Sequence, residues 1–309
     1  MKSQHANILN LTIALVVIFG IMVALSPKDR KGIPFMLNEY NLGVMFSFCT
    51  YNIVLGAGMT FAILAGGIDL SVGRALALCN VLFMVVLNAT SSLTLATLTA
   101  LFAGAVVGCL NGIITVLGRI PSFIATLGMY MVCWGFAYVV SGGETITTRA
   151  GITAHSLMPV VVPIGVIAIA HVVLSRFKFG RHVYAVGGNV QAARLSGIPV
   201  QRVQILAFVI CGMCAGIGGM IYWAKLATGS SLAGEAFELY AIAAVIIGGT
   251  SLSGGKGTVI GTLLGALIMG VLGEGLFILG VREHWRKVTV GTVIIGAVLF
   301  DSLRRRRSQ

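Results

Sequence analysis

Apolar residues run along this chain in blocks of about twenty, the length a helix needs to cross ~30 Å of hydrocarbon at ~1.5 Å per residue. Ten such blocks stand out, at residues 8–25, 42–64, 72–88, 93–117, 121–140, 158–175, 203–223, 238–250, 258–280 and 285–301. Each is expected to be a helix, several of them short or broken by glycine. The polar stretches between them are turns rather than soluble domains, so residues 1–309 read as one transmembrane domain. The expected fold is an all-α integral membrane protein with about ten transmembrane helices.

The longest polar interruption runs from Arg176 to Val203 and reads RFKFGRHVYAVGGNVQAARLSGIPVQRV. It carries Arg176, Lys178, Arg181, Arg194 and Arg202 without an acid, the signature of a connection that stays in the cytoplasm. Inside it, Gln191-Ala192-Ala193-Arg194-Leu195-Ser196-Gly197 combines small residues with a glycine that accepts the left-handed backbone of a helix end. A short helix offered to a partner is expected from Asn189 to Gly197. With the amino terminus inside, thirteen of the twenty-one Lys and Arg residues fall on the cytosolic side: Lys2, Arg74, Arg119, the five loop residues, Lys256 and Arg304 to Arg307. The cluster Lys28, Arg30 and Lys31 opposes this orientation and is outvoted. Both termini are therefore expected in the cytoplasm, with the final arginines near anionic lipid headgroups.

Glycine spacing adds a second layer. Gly104, Gly108 and Gly112 recur every fourth residue in the fourth span, and Gly257, Gly261 and Gly265 do so in the ninth. Such faces let backbones approach closely, and they mark helices inside the bundle. Gly66-Gly67-Ile68-Asp69-Leu70-Ser71-Val72-Gly73-Arg74 also matches Gly248-Gly249-Thr250-Ser251-Leu252-Ser253-Gly254-Gly255-Lys256 as G-G-x-x-L-S-x-G-[R/K]. Paired glycine-interrupted segments in two halves point to an internal repeat with a pathway at its interface. The ladders favour inverted halves and the breaks favour parallel ones.

Composition narrows the function classes. The chain is 57% hydrophobic and 10% charged, with mean hydropathy +0.99, which excludes a water-soluble globular protein. The net charge of +12 resides in short connections between spans, so it marks topology rather than nucleic-acid binding. Cys49, Cys79, Cys109, Cys133, Cys211 and Cys214 all lie in apolar blocks, where they act as small hydrophobes. The five histidines are scattered, so neither a metal site nor a nucleophile and base pair is expected, and no cofactor is implied. Gly255-Lys256 resembles the end of a phosphate-binding loop, but Gly257 stands where Ser or Thr is required. The chain is not expected to hydrolyse ATP, or to be an enzyme at all.

Polar groups at the two breaks are the candidate solute contacts: Thr60, Asp69 and Ser71 at the first, Thr250, Ser251 and Ser253 at the second. Asp69 either lines a route or caps the third span. Glu274, between two glycines, either snorkels to the outer interface or lines an exit. Asn52, Asn111 and Thr126 are expected to bond across helices. Trp134, Trp223 and Trp285, two of them near span ends, read as interfacial belt residues.

Several blocks together resemble one family: GMT at 58–60, GGIDLSVGR, IPSFIATLGM at 120–129, FGRHVYAVGGNVQAARLSGI, and ELYAIAAVIIGGTSLSGGKGTVIGTLLGALI. They look like the permease subunits of ribose-type monosaccharide ABC importers, in the branched-chain amino acid and monosaccharide permease superfamily. The stretch from Gln191 to Gly197 is similar to the importer coupling motif E-A-A-x-x-x-G, with Gln191 in place of Glu. The resemblance implies an inner-membrane permease with internally repeated halves. It also implies a second permease chain, identical or homologous, two cytosolic ATPase subunits, and a periplasmic sugar-binding protein that delivers the solute. Asn189, Gln191, Ala192, Ala193, Arg194, Leu195 and Gly197 are then the ATPase-coupling residues. The rival reading is an ion-coupled secondary transporter using Asp69 or Glu274.

Overall fold

The structure is a computed structural model and describes residues 2–29, 31–149 and 158–306. Arg30, His155 and Arg307 lie outside the described residues. Helices follow one another along the chain as α1 (Lys2–Leu25), α2 (Glu39–Leu64), α3 (Val72–Thr90), α4 (Leu93–Val116), α5 (Ser122–Ser141) and α6 (Met158–Arg176). Then come the short pair α7 (Lys178–Gly188) and α8 (Val190–Leu195), followed by α9 (Val200–Leu226), α10 (Phe237–Ile247), α11 (Val259–Ile278) and α12 (Glu283–Arg306). A two-residue ribbon, β1 (Ile146–Thr147) against β2 (Thr228–Gly229), joins the ends of α5 and α9 remote from α7.

Every one of the ten expected spans is helical, and eight of these helices are long and apolar enough to cross a membrane. The other two differ for identifiable reasons. α10 has eleven residues, roughly 16 Å at ~1.5 Å each, because residues 231–236 before it form turns and Gly248 and Gly249 end it. α12 carries charge at both ends, Glu283, Arg286 and Lys287 against Asp301 and Arg304 to Arg306, around a short apolar middle. The polar interruption at 176–203 is itself mostly helical: α7 precedes α8 there, marked by no continuous hydrophobic run but burying Gly180, Val183 and Val186 on one face.

α9 stands at the centre and packs on α2, α3 and α4. Its contact with α4 is the first glycine ladder at work. A Cβ at Gly104 would meet the Gly212 carbonyl, at Gly108 the Phe208 carbonyl, and at Gly112 the Ile205 Cα at 2.8 Å. α9 contributes Gly212 and Gly216 to the same seam, so the two backbones touch. The second ladder packs α11 on α10, with Gly261 against Gly248 and Gly265 against Ala244. Gly257 does not belong to it, because it precedes α11 at φ +153° and lies against the Thr250 side chain. Cys211 and Cys214 are free and buried, facing Gly58 on α2, so the C-x-x-C spacing serves close packing.

Candidate translocation site and coupling surface

The two sequence-matched breaks begin identically. At the end of α2, Gly66 N–H donates to Ile63 and Gly67 N–H to Ala62; at the end of α10, Gly249 N–H donates to Ile246 and Thr250 N–H to Val245. Both are the paired 5→2 and 6→1 closures that satisfy the last carbonyls of a helix. The left-handed residue is Gly66 at φ +88° in one and Gly249 at φ +84° in the other. The structural match is therefore one residue out of register with the sequence match. The breaks then diverge: α3 starts at Val72, whereas α11 waits until Val259.

They also lie against each other. Gly255 N–H donates to the Leu64 carbonyl at 3.1 Å, joining the second break to the last turn of α2. α7 reaches the same point. A Cβ on Gly187 would fall onto the Leu64 carbonyl and lie 2.5 Å from the Gly255 nitrogen, while Gly188 next to it has open space. Tyr184 donates its hydroxyl to the Gly257 carbonyl at 2.9 Å, and burial raises its pKa, which keeps that proton in place. The polar interruption is thus bolted to both breaks.

α8 continues from this anchor. Asn189 accepts from Ala192 N–H at 3.0 Å as the amino-terminal cap, and Gly197, at φ +76°, ends the turn as Ile198 N–H reaches back to Ala193. Ala193 faces inward and is buried with Val200 and Val203, whereas Gln191, Ala192 and Arg194 are exposed. Leu195 is 90% exposed, the most exposed large apolar side chain among the described residues. Two adjoining cavities of about 510 and 360 Å³ share Val116, Arg119 and Gln204, and together lead from Arg194 to Gly66 and Gly67.

The polar residues expected at the breaks are placed as follows. Thr60 is fully buried and pairs with Thr262 of α11 at 2.7 Å, tying α2 to α11. Asp69 is also buried. Its Oδ1 accepts from Ser71 N–H at 2.9 Å and from the Ser71 hydroxyl at 2.6 Å, and Asn111 of α4 donates to both carboxylate oxygens at 3.2 Å. Thr126 of α5 closes the other side, accepting from Leu70 N–H and donating to the Ile68 carbonyl. At the second break Thr250 is buried without a partner for its hydroxyl, Ser251 pairs with Ser253 at 3.1 Å, and Ser253 is exposed. Glu274 does not snorkel: it is buried, with one oxygen unpaired. Trp223 is no belt residue either, since its ring is buried against Phe83 and its indole donates to Thr148.

Arg74 is the largest departure from expectation. The charge tally puts it at the cytosolic surface, yet it is buried. Leu76, half a turn further on, packs on Gly218, roughly 27 Å along α9 from its α8 end at ~1.5 Å per residue. The guanidinium sits over Tyr130 at 5.3 Å and Trp134 at 5.4 Å, and donates to the Ser231 carbonyl and the Glu235 carboxylate, each at 3.4 Å. Glu238 lies behind it across Gly73, where any Cβ would fall onto its carboxylate.

Residues 41–298 match the family model described as branched-chain amino acid transport system / permease component. The chain belongs to this family. Over 307 residues the permease is 38% identical to the ribose import permease protein RbsC of Escherichia coli strain K12, covering 95% of this chain and 93% of that one. It is 35% identical over 298 residues to the D-allose transport system permease protein AlsC of the same strain, covering 94% and 90%. It is 34% identical over 301 residues to the autoinducer 2 import system permease protein LsrC of Enterobacter sp. strain 638, covering 95% and 86%. No solved structure matches it. The permease is a transport subunit and a multi-pass membrane protein.

Sequence reasoning missed the cluster around Arg74. The signal was present as an arginine three residues into an apolar span and as Glu235 and Glu238 at helical spacing. A charge tally by loops assigns every such residue to water by construction. It also missed Gly187, because one glycine in a polar stretch has no visible partner until α2 and the second break are folded beside it.

Proposed function

We propose that this chain is the membrane subunit of an ATP-driven importer for a monosaccharide in the bacterial inner membrane, fed by a periplasmic sugar-binding protein. Its relatives are by name ribose, D-allose and autoinducer 2 permeases, which favours a small polyhydroxylated solute. Separate ATPase subunits hydrolyse ATP; this chain has no ATPase site. Residues 1–309 form one membrane domain with both termini in the cytoplasm, and two such chains, identical or homologous, flank the route. Residues 176–203 form the cytosolic coupling loop.

The observation that carries this reading is α8: capped at both ends, backed by α7 on the two breaks, and holding Leu195 out into solvent. Asn189 and Gly197 define the docking helix, Ala193 seats it on the permease, and Gln191, Ala192, Arg194 and Leu195 meet the ATPase. The breaks form the coupling-side wall of the route. Thr60, Asp69, Ser71, Thr250, Ser251 and Ser253 hold their shape and supply the polar groups there, and the cleft from Gly66 to Arg194 leads to the cytoplasm.

Co-purification with the ATPase tests the docking surface. Leu195→Glu puts a charge where an apolar knob enters a groove and is expected to lower ATPase recovery on the order of tenfold, about 1.4 kcal/mol. Membrane insertion of the variant is expected to be normal, since Leu195 touches little of the permease. Wild-type recovery and uptake with Leu195→Glu would remove α8 as the docking helix. Uptake that needs a proton gradient and no ATPase would replace the reading with an ion-coupled carrier.

A further inference from the structure

A narrow trough opens beside α6 on the outside of the bundle. Pro163 sits inside this helix and has no N–H, so the Pro159 carbonyl four residues earlier loses its helix partner. The Thr50 hydroxyl of α2 takes that place at 3.1 Å, sharing its proton with the Phe46 carbonyl at 2.8 Å. With these carbonyls met from within, the trough between α2, α6 and α11 is left almost wholly apolar. It holds about 430 Å³ among Ile53, Ile164, Ile167, Ala168, Leu263 and Leu267, and His171 stands at one end.

Its surroundings constrain what fills it. All three helices are long and apolar enough to cross a membrane, and α6 has no charged residue before Arg176. Val160, Val161, Ile164 and Ile169 beside the trough are each at least half exposed, a surface suited to hydrocarbon. The Glu235 side chain, 66% exposed before α10, marks another side as the one that water or a second chain covers, because hydrocarbon does not accept a carboxylate. From Pro159 to His171 the trough runs roughly 18 Å at ~1.5 Å per residue, about the depth of one leaflet of a ~30 Å core. A helix ~10 Å wide would displace on the order of 1,400 Å³ over that length, so the space takes a single flexible chain rather than a helix of a second copy. The end at His171 constrains what that chain carries. Beyond it α6 ends at Arg176, α7 opens with Lys178, and Lys256 stands four residues before Ile260 of the trough. These three are exposed, and none is in an ion pair among the described residues. No Asp or Glu occurs between Glu144 and Glu235 or between Glu238 and Glu274, so no acid within these segments offsets them. That end attracts an anion, and at the mouth of an apolar trough one leaflet deep the matching anion is a phosphate that carries acyl chains.

We propose that the trough between α2, α6 and α11 seats one acyl chain of an anionic phospholipid, with the headgroup phosphate at His171, Arg176, Lys178 and Lys256. The site requires the membrane spans but not the importer reading. A lipid seated there ties α6 to α2 and α11 on the side where α6 leads into α7.

The test is native mass spectrometry of the full-length permease, washed free of co-purified lipid in detergent. The probes are palmitoyl-oleoyl phosphatidylglycerol, the matching phosphatidylcholine, and glycerophosphoglycerol, which has the headgroup without acyl chains. Phosphatidylglycerol is expected to be retained as one molecule per chain, about tenfold more tightly than phosphatidylcholine, and glycerophosphoglycerol not at all. Ala168→Trp and Ile164→Trp, at exposed positions on the trough wall, are expected to fill it and to lower that retention about tenfold, with the thermal midpoint of the lipid-free protein unchanged. Lys178→Gln combined with Lys256→Gln is expected to remove most of the preference for phosphatidylglycerol. Retention unchanged in both tryptophan variants overturns the site, as does equal retention of the two lipids by the wild type. A preference kept in full by the double lysine variant overturns the place given to the headgroup. Glycerophosphoglycerol bound as tightly as the whole lipid overturns the acyl seat and leaves a free-anion site. The same spectra count chains, so loss of a permease dimer in the tryptophan variants would assign the trough to a second copy instead.

Discussion

Replacing Gly187 with valine is expected to impair transport severely, whereas replacing its neighbour Gly188 with alanine is expected to change little. At Gly187 a side chain has no room, because its first carbon would occupy the Leu64 carbonyl and crowd the Gly255 nitrogen. Both obstacles are backbone, which cannot rotate away as a side-chain tip does. Ordinary overpacking costs about 1–3 kcal/mol, and here the Gly255 to Leu64 hydrogen bond is forced apart as well. Residues 176–203 would lose their grip on both breaks. We expect uptake to fall on the order of tenfold or more and the thermal midpoint to drop, with ATPase docking retained because α8 is untouched. Gly188 has nothing within 4 Å of a Cβ and serves as the control. Normal uptake in Gly187→Val would show that α7 rides on the breaks without driving them.

Asp69→Leu is expected to cripple the permease, and Asp69→Asn to be tolerated. The carboxylate accepts from Ser71 N–H, the Ser71 hydroxyl and the Asn111 amide in a buried site. Leucine strands the Ser71 N–H and hydroxyl at about 1–3 kcal/mol each, and leaves the Asn111 amide of α4 only its bond to the Ser71 hydroxyl oxygen at 2.8 Å. Asparagine keeps the acceptor. Its new amide can also turn toward the Asn111 Oδ1, which has no partner in the wild type, so the change in stability is expected to stay within about 1 kcal/mol. Inserted protein and uptake measured side by side check this: Leu should fail in both, and Asn should match wild type within about twofold. Asparagine that inserts normally yet fails to transport would mean that the Asp69 charge acts on the solute or on a coupled ion.

These expectations rest on how far a linear pattern carries. Hydrophobic run length depends only on local composition, so the helices of the bundle were legible from it, as was α8 with Asn189 at its start and Gly197 at its end. The two G-G-x-x-L-S segments announced equivalent helix ends for the same reason: a glycine stop is local chemistry. The shift between Gly66 and Gly249 as the left-handed residue was not legible, because either glycine of each pair can adopt that conformation and only the surrounding packing selects one.

The sequence by itself thus determined the class, an all-helical membrane permease, together with the basic connection in which the short helix α8 forms. Its physical basis is that hydrocarbon accepts only satisfied backbone and apolar surface, a constraint written residue by residue. Tertiary structure alone decided which face of α8 is free, turning Ala193 inward and Leu195 outward. It alone seated Gly187 between two breaks that lie far apart in the chain, and it put Arg74, counted by charge at the cytosolic surface, in a buried place beside Tyr130, Trp134, Glu235 and Glu238. Those outcomes depend on contacts between distant segments, whose partners a pattern of single residues does not name.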